Sequence, residues 1–155
     1  FINIILNIKH YFFIICLIFF DQTTKLLATL KLDFYEPFTI INSVLSFQLV
    51  HNYGAAYGIL QHQRVLLTVV GLFVVIGSIV CQKWIIQTVW SRYGLVFLIA
   101  GALGNLIDRM RLGYVVDFVD IRIFPVFNVA DVLIDIAIVL FLIELFHDYK
   151  RKKIT

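Results

Sequence analysis

Apolar residues gather into four runs along the chain, at about residues 8–30, 65–82, 93–108 and 129–147, with polar stretches between them. A helix rises about 1.5 Å per residue and a bilayer core is about 30 Å thick, so each run can span, the third only just. The first run is interrupted at 21–25 by DQTTK. Its apolar part, 11–20, has the length of a signal-peptide core. A charged block follows instead of a small-residue cleavage pattern, so an uncleaved span is expected. The stretch 31–64 contains β-favouring runs, FTIINSV and LSFQLV, and predicts a small sheet lying on the membrane. The stretch 109–128 reads as extended rather than helical. The expected fold is an all-α membrane protein with a small β element: four transmembrane helices plus an extracytoplasmic β-rich cradle, in one domain over 1–155.

Composition agrees. Of 155 residues 61% are hydrophobic, with a mean hydropathy of +0.95. A soluble domain of this length cannot hide that much apolar surface, so membrane lipids form part of the surroundings. The net charge of +3 is modest and the basic residues are scattered, which argues against a nucleic-acid partner. The exception is KRKK at 150–153, which reads as a cytoplasmic juxtamembrane anchor. With both termini cytoplasmic, the inner side carries Lys9, Lys83, Arg92 and this tail, seven of the thirteen basic residues. Of the others, Lys25, Arg109 and Arg111 sit beside acidic groups in motifs. Cys16 and Cys81 have neither metal-site nor disulfide spacing and read as small buried or lipid-facing residues.

The polar residues inside the runs share a depth. Counted from Lys9, Asp21 lies about 18 Å up the first span. From Arg92, Asn105 and Asp108 lie about 20 and 24 Å up the third. From Lys150, Asp135 and Asp131 lie about 22 and 28 Å up the fourth. Ionisable groups cost several kcal/mol each in lipid unless they face one another or a wet cavity, so a shared polar cleft opening outward is expected. Asp21 and Lys25 are four apart and can pair on one face, either at that cleft or as a salt bridge that fixes the first helix. Asn105, Asp108 and Arg109 share a face, as cleft residues or as a capping network, and GALGN before them allows close helix approach. Asn128 and Asp131 read locally as an N-cap and a first-turn acid. Asp135, one turn deeper, is either a cleft-lining acid or a structural one. Asp33, Glu36, Asp120 and Asp148 are expected to be solvated.

The motifs for other intramembrane proteolysis are missing. There is no HExxH for zinc, no GxSx with a membrane histidine, and no GxGD. Two aspartates from different elements remain: Asp117, ending the apolar strip GYVVDF, and Asp131, in FNVAD. Such a pair hydrolyses amides directly. One carboxylate takes a proton from water while the other, protonated, polarises the scissile carbonyl, and the two share one proton.

In order along the chain, DQTTK, HNYGAAYG, GALGNLIDR, GYVVDF and FNVAD resemble the motifs of the lipoprotein signal peptidase (signal peptidase II) family, over about residues 13–146. The resemblance implies that Asp117 and Asp131 are the catalytic dyad and that Asp21 and Lys25 are the polar site of the first helix. It places Asn52 and Gly54 near the bound signal peptide, Asn105, Asp108 and Arg109 lining or bracing the cleft, and Asn128 positioning the second aspartate's helix. Ala100 and Gly101 stand where a glycine pair is common, Tyr57 and Gly58 replace a frequent Phe-Ser, and Asp135 is an extra acid. The implied substrate is a bacterial prolipoprotein carrying diacylglyceryl on its lipobox cysteine, cut just before that cysteine. The implied setting is the inner membrane, with the active site near its outer face. Neither metal nor cofactor is implied, globomycin is the expected inhibitor, and a monomer is expected. The rival is a non-enzymatic membrane transporter or lipid-binding subunit using the same charges. A transport pathway should reach both faces, whereas these polar groups stop in the outer half.

Overall fold

The structure is a computed structural model that describes residues 5–55 and 59–154, without the side chains of 148 and 150–154. Expectations for Tyr57, Gly58, Asp148 and the side chains of KRKK therefore lie outside what is described. The described elements are α1 (Ile8–Lys31), β1 (Phe38–Ile41), β2 (Leu45–Asn52), α2 (Arg64–Val80), α3 (Gln82–Ile85), α4 (Val89–Arg111), β3 (Val115–Asp120) and α5 (Val129–Ile154). This is an all-α membrane protein with a small antiparallel sheet. Among the described residues, α1 and α4 are long and apolar enough to cross a bilayer, at 24 and 23 residues.

Helix ends follow capping chemistry more closely than hydropathy. The hydropathy pattern starts the third helix at 93, yet α4 begins at Val89. The Thr88 side chain accepts from the backbone N–H groups of Trp90 and Ser91, completing a capping box that lets polar residues enter the first turn. At its other end α4 continues to Arg111, into the stretch expected to be extended, where Arg64 donates to the carbonyls of Arg109 and Met110 at 2.9 Å each. Those carbonyls have no partner within the helix. Gly113, at φ +90°, then turns the chain into β3. The helix α2 stops at Val80, short of the expected 82, and α5 runs past 147 to Ile154.

Helix α4 is the centre of the bundle, packed against α1, α2 and α5. Small residues allow this. A Cβ on Gly101 would lie 2.5 Å from the carbonyl oxygen of Ala130, and one on Gly104 would lie 2.5 Å from Asp21 Oδ2. The apolar core (Leu6, Ile14, Ile86, Leu95, Val96, Ile99, Ala100 and Leu133) fills the end of the bundle near the start of α4. Outward-facing side chains such as Phe12, Phe19, Phe73, Ile138 and Phe146 are exposed. In a lipid solvent such a surface is at home. Cys16 and Cys81 are likewise free and exposed.

The sheet has the order β1-β2-β3, all antiparallel. Val50 lies opposite Asp117, with a register irregularity between Phe47 and Val50. After β3 the chain doubles back, and Phe127 pairs with Val119 by backbone bonds of 2.9 and 3.0 Å. Asp120 makes that reversal and is not solvated as expected. It is 8% exposed, accepts from the backbone N–H of Arg122 at 2.8 Å and pairs with the Arg122 side chain at 3.4 Å. Arg122 itself has φ +67°. The reversal brings Asn128 beside Asp117.

Candidate active site

Asp117 and Asp131 reach one site from two elements. Asp117 is on β3 and is 1% exposed; Asp131 is the third residue of α5. Asn128 connects them. As the N-cap of α5 it accepts from the Asp131 backbone N–H at 3.1 Å, while Asp131 Oδ2 accepts from the Asn128 backbone N–H at 3.2 Å. This is a reciprocal capping box. The Asn128 Nδ2 then donates to Asp117 Oδ1 at 2.6 Å and to Asn105 Oδ1 at 3.2 Å. Asn128 therefore caps α5 and bonds Asp117 with the same side chain.

Two further asparagines complete the pair. Asn52 Nδ2 donates to Asp117 Oδ2 at 2.9 Å, and its Oδ1 accepts from the Gly54 backbone at 2.9 Å. Asn105 Nδ2 donates to Asp131 Oδ1 at 2.8 Å. Each of the four carboxylate oxygens thus has a donor from this set. Burial, then the nearby Asp131, pushes the Asp117 carboxyl up to about 7, against the hydrogen bonds of Asn52 and Asn128.

Behind the pair lies a closed polar network centred on Lys25, which is 3% exposed. Its ammonium has three donors. They meet Asp21 Oδ2, Asp108 Oδ2 and Asn105 Oδ1, each at 3.0 Å. Asp21 Oδ1 accepts from the backbone N–H of Ala130 at 2.8 Å, so a side chain of α1 caps the N-terminus of α5. Asp108 Oδ2 accepts from the backbone N–H of Val116 at 3.1 Å. Each acid therefore holds the residue just before one of the two aspartates. Gln22, which sequence reasoning passed over inside DQTTK, bonds both Asp21 and Asp108, at 3.2 and 2.9 Å.

A cavity of about 540 Å³ opens in front of the pair, and its polar lining is Asn52, Asn105, Arg109, Asp117, Asp131 and Asp135. Ile121, Phe124, Phe127, Val132 and Ile134 supply apolar walls. Asp21, Lys25, Asp108 and Asn128 do not line it; they brace. Asp21 and Lys25 pair on one face of α1, and the pair ties that helix to Asp108 of α4 and to the Ala130 backbone of α5. Gly54 takes part through its backbone, its carbonyl accepting from Arg109 Nη2 at 3.2 Å. His51, also passed over, stacks on Tyr114 at 3.8 Å and meets Phe34 edge-on at 4.7 Å, and burial lowers its pKa.

The family model described as signal peptidase (SPase) II matches residues 13–147. The chain belongs to the signal peptidase II family. The lipoprotein signal peptidase of Halothermothrix orenii is 41% identical over 146 residues, covering 90% of this chain and 97% of that one. That of Streptococcus agalactiae serotype Ia is 40% identical over 137 residues, covering 86% and 89%. A bacterial membrane enzyme solved by the in meso method at 2.3 Å resolution superposes with a TM-score of 0.87 at 31% identity, covering 93% of this chain and 91% of that chain. This signal peptidase II is thus an intramembrane hydrolase of the aspartic-protease type, a multi-pass protein of the bacterial inner membrane. The transporter and lipid-binding alternatives give way to it.

Proposed function

We propose that this signal peptidase II cuts diacylglyceryl-modified prolipoproteins just before the lipidated cysteine, with Asp117 and Asp131 as its catalytic pair. The observation that carries the reading is Asn128, which hydrogen-bonds both carboxylates and fixes them at the mouth of a cavity with apolar walls. Asp117, buried and with its carboxyl raised to about 7, serves as the acid that polarises the scissile carbonyl. Asp131, held by Asn105 and the Asn128 backbone, takes the proton of the attacking water. Collapse of the tetrahedral intermediate passes a proton to the leaving amine of the cysteine. The diacylglyceryl chains stay in lipid, alongside Phe124, Val132 and Ile134. No step needs a metal or cofactor.

The reading extends to topology. Helices α1, α2, α4 and α5 are the four spans, both termini are cytoplasmic, and the dyad lies near the outer face under the cradle formed by β1–β3. The 17 residues of α2 give about 25 Å, within reach of a bilayer core. Globomycin is expected to occupy the cavity, and the protein acts as a monomer.

The purified protein should cleave a diacylglyceryl-modified prolipoprotein, leave the same precursor without lipid essentially intact, and be blocked by globomycin. Equal cleavage of the unlipidated precursor would overturn the substrate assignment. The acid role of Asp117 has its own pH signature. Activity should fall as pH rises through about 7, where Asp117 loses its proton. The Asn52 bond favours the charged form, so Asn52→Ala should move the alkaline limb of kcat/KM to higher pH. A limb that stays in place would assign it to another group.

A further inference from the structure

Asp135 is the single polar residue between Val132 and Ile143, so α5 keeps one carboxylate in an otherwise apolar stretch. It is exposed and lines the cavity in front of the dyad. Among the described residues it has neither a hydrogen bond nor an ion pair, although every other carboxylate of the site has a donor. Arg109, the cation of the cavity, is turned to the Gly54 carbonyl instead. A carboxylate on a span is costly unless water or a donor meets it. Its bracing role is therefore excluded by its contacts, and its place on the cavity wall directs it toward whatever fills the cavity.

We infer that Asp135 is a substrate-binding residue that accepts a backbone N–H of the bound signal peptide, about two residues on the signal-peptide side of the scissile bond. The inference rests on the proposed reading of the dyad and the topology. With α5 running inward from Asn128, Asp135 lies four residues, about 6 Å, deeper than Asp131. That is the side on which the signal peptide remains in the membrane. An extended chain advances about 3.3 Å per residue, so 6 Å corresponds to about two residues. The peptide must be extended near the cut for its carbonyl to reach the dyad, and extended backbone leaves N–H groups without intrachain partners. In a bilayer each such group costs several kcal/mol. A carboxylate is the matching acceptor. The diacylglyceryl group offers ester oxygens, which only accept, so it gives Asp135 no partner.

The test uses the full chain in detergent micelles and lipidated substrates in which one backbone amide at a time, one to four residues before the cut, is replaced by an ester. The ester removes the N–H donor. With wild type, the ester at the second position should lower kcat/KM about 10- to 100-fold, the loss of one hydrogen bond to a charged group. With Asp135→Leu that ester should be cleaved no worse than the amide, and Asp135→Asn, which keeps an acceptor oxygen, should retain part of the discrimination. An equal ester penalty in wild type and Asp135→Leu would overturn the inference, as would the lack of a penalty at any position in wild type. A pH profile displaced in Asp135→Asn with the ester penalty unchanged would assign the carboxylate to the dyad's titration instead. Failure of wild type to cut the all-amide lipidated substrate would strike the parent reading, and the inference with it.

Discussion

Asp117→Asn and Asp131→Asn are each expected to lower turnover of a lipidated prolipoprotein by about 10²–10⁴-fold, the range in which a positioned general acid or base contributes. The substitution keeps size and removes the titratable proton, so the loss reports chemistry if the fold persists. Persistence has to be measured. Asp117 accepts from Asn52 on one oxygen and from Asn128 on the other. An amide has one oxygen, so one of these donors would face an NH₂ group. Asn52 could answer by flipping its amide, but the Gly54 N–H would then lose its acceptor. Asn128 cannot flip freely, because its Oδ1 holds the Asp131 backbone N–H and its Nδ2 also serves Asn105. Asp117→Asn should therefore cost about 1–3 kcal/mol of stability as well as activity. Globomycin binding and thermal unfolding in detergent separate the two effects. A folded variant of either aspartate with near-normal turnover would remove that residue from the dyad.

The sequence carried much of this architecture, and the particular places where it fell short share a cause. Hydropathy locates a helix by its apolar centre, so Ser91, Arg92 and Arg109–Arg111 fell outside the expected third run although Thr88 and Arg64 cap them into α4. Periodicity states which residues share a face but not which neighbour that face meets. Asp21, Asn105 and Asp108 were legible as one polar layer, whereas the division into Asn105 lining the cavity and Asp21 and Asp108 bracing from behind depends on tertiary packing. Asp120 looked like any loop acid because the fold-back that buries it is set by Phe127 pairing with Val119. Gln22 could have been found: it directly follows Asp21 in a block already recognised as out of place in a span. Asn128 shows why local and functional readings need not compete. A residue that caps a helix fixes the first turn of that helix, and here the first turn carries Asp131.

Lys25→Met is expected to be more damaging to stability than any single change at the dyad. Lys25 holds Asp21 and Asp108, which are 0% and 3% exposed, so its loss leaves two buried carboxylates without their cation. Breaking a buried pair by removing one partner costs about 3–5 kcal/mol, because the remaining charge is uncompensated. The consequences run to both halves of the site. Asp108 secures the Val116 backbone one residue before Asp117, and Asp21 secures the Ala130 backbone one residue before Asp131. A loosened network should therefore displace both carboxylates together, and activity should fall along with the midpoint of thermal unfolding. The decisive comparison is Lys25→Met with Lys25→Met/Asp108→Asn. Neutralising one orphaned acid should recover about 1–3 kcal/mol, a non-additivity expected only where the residues share one network. If the double variant is less stable than the single by the full cost of Asp108→Asn in the wild-type background, Lys25 is not the hub. Such additive energetics would reduce Lys25 to a packing residue, since a side chain that only fills space has no reason to prefer a neutral partner.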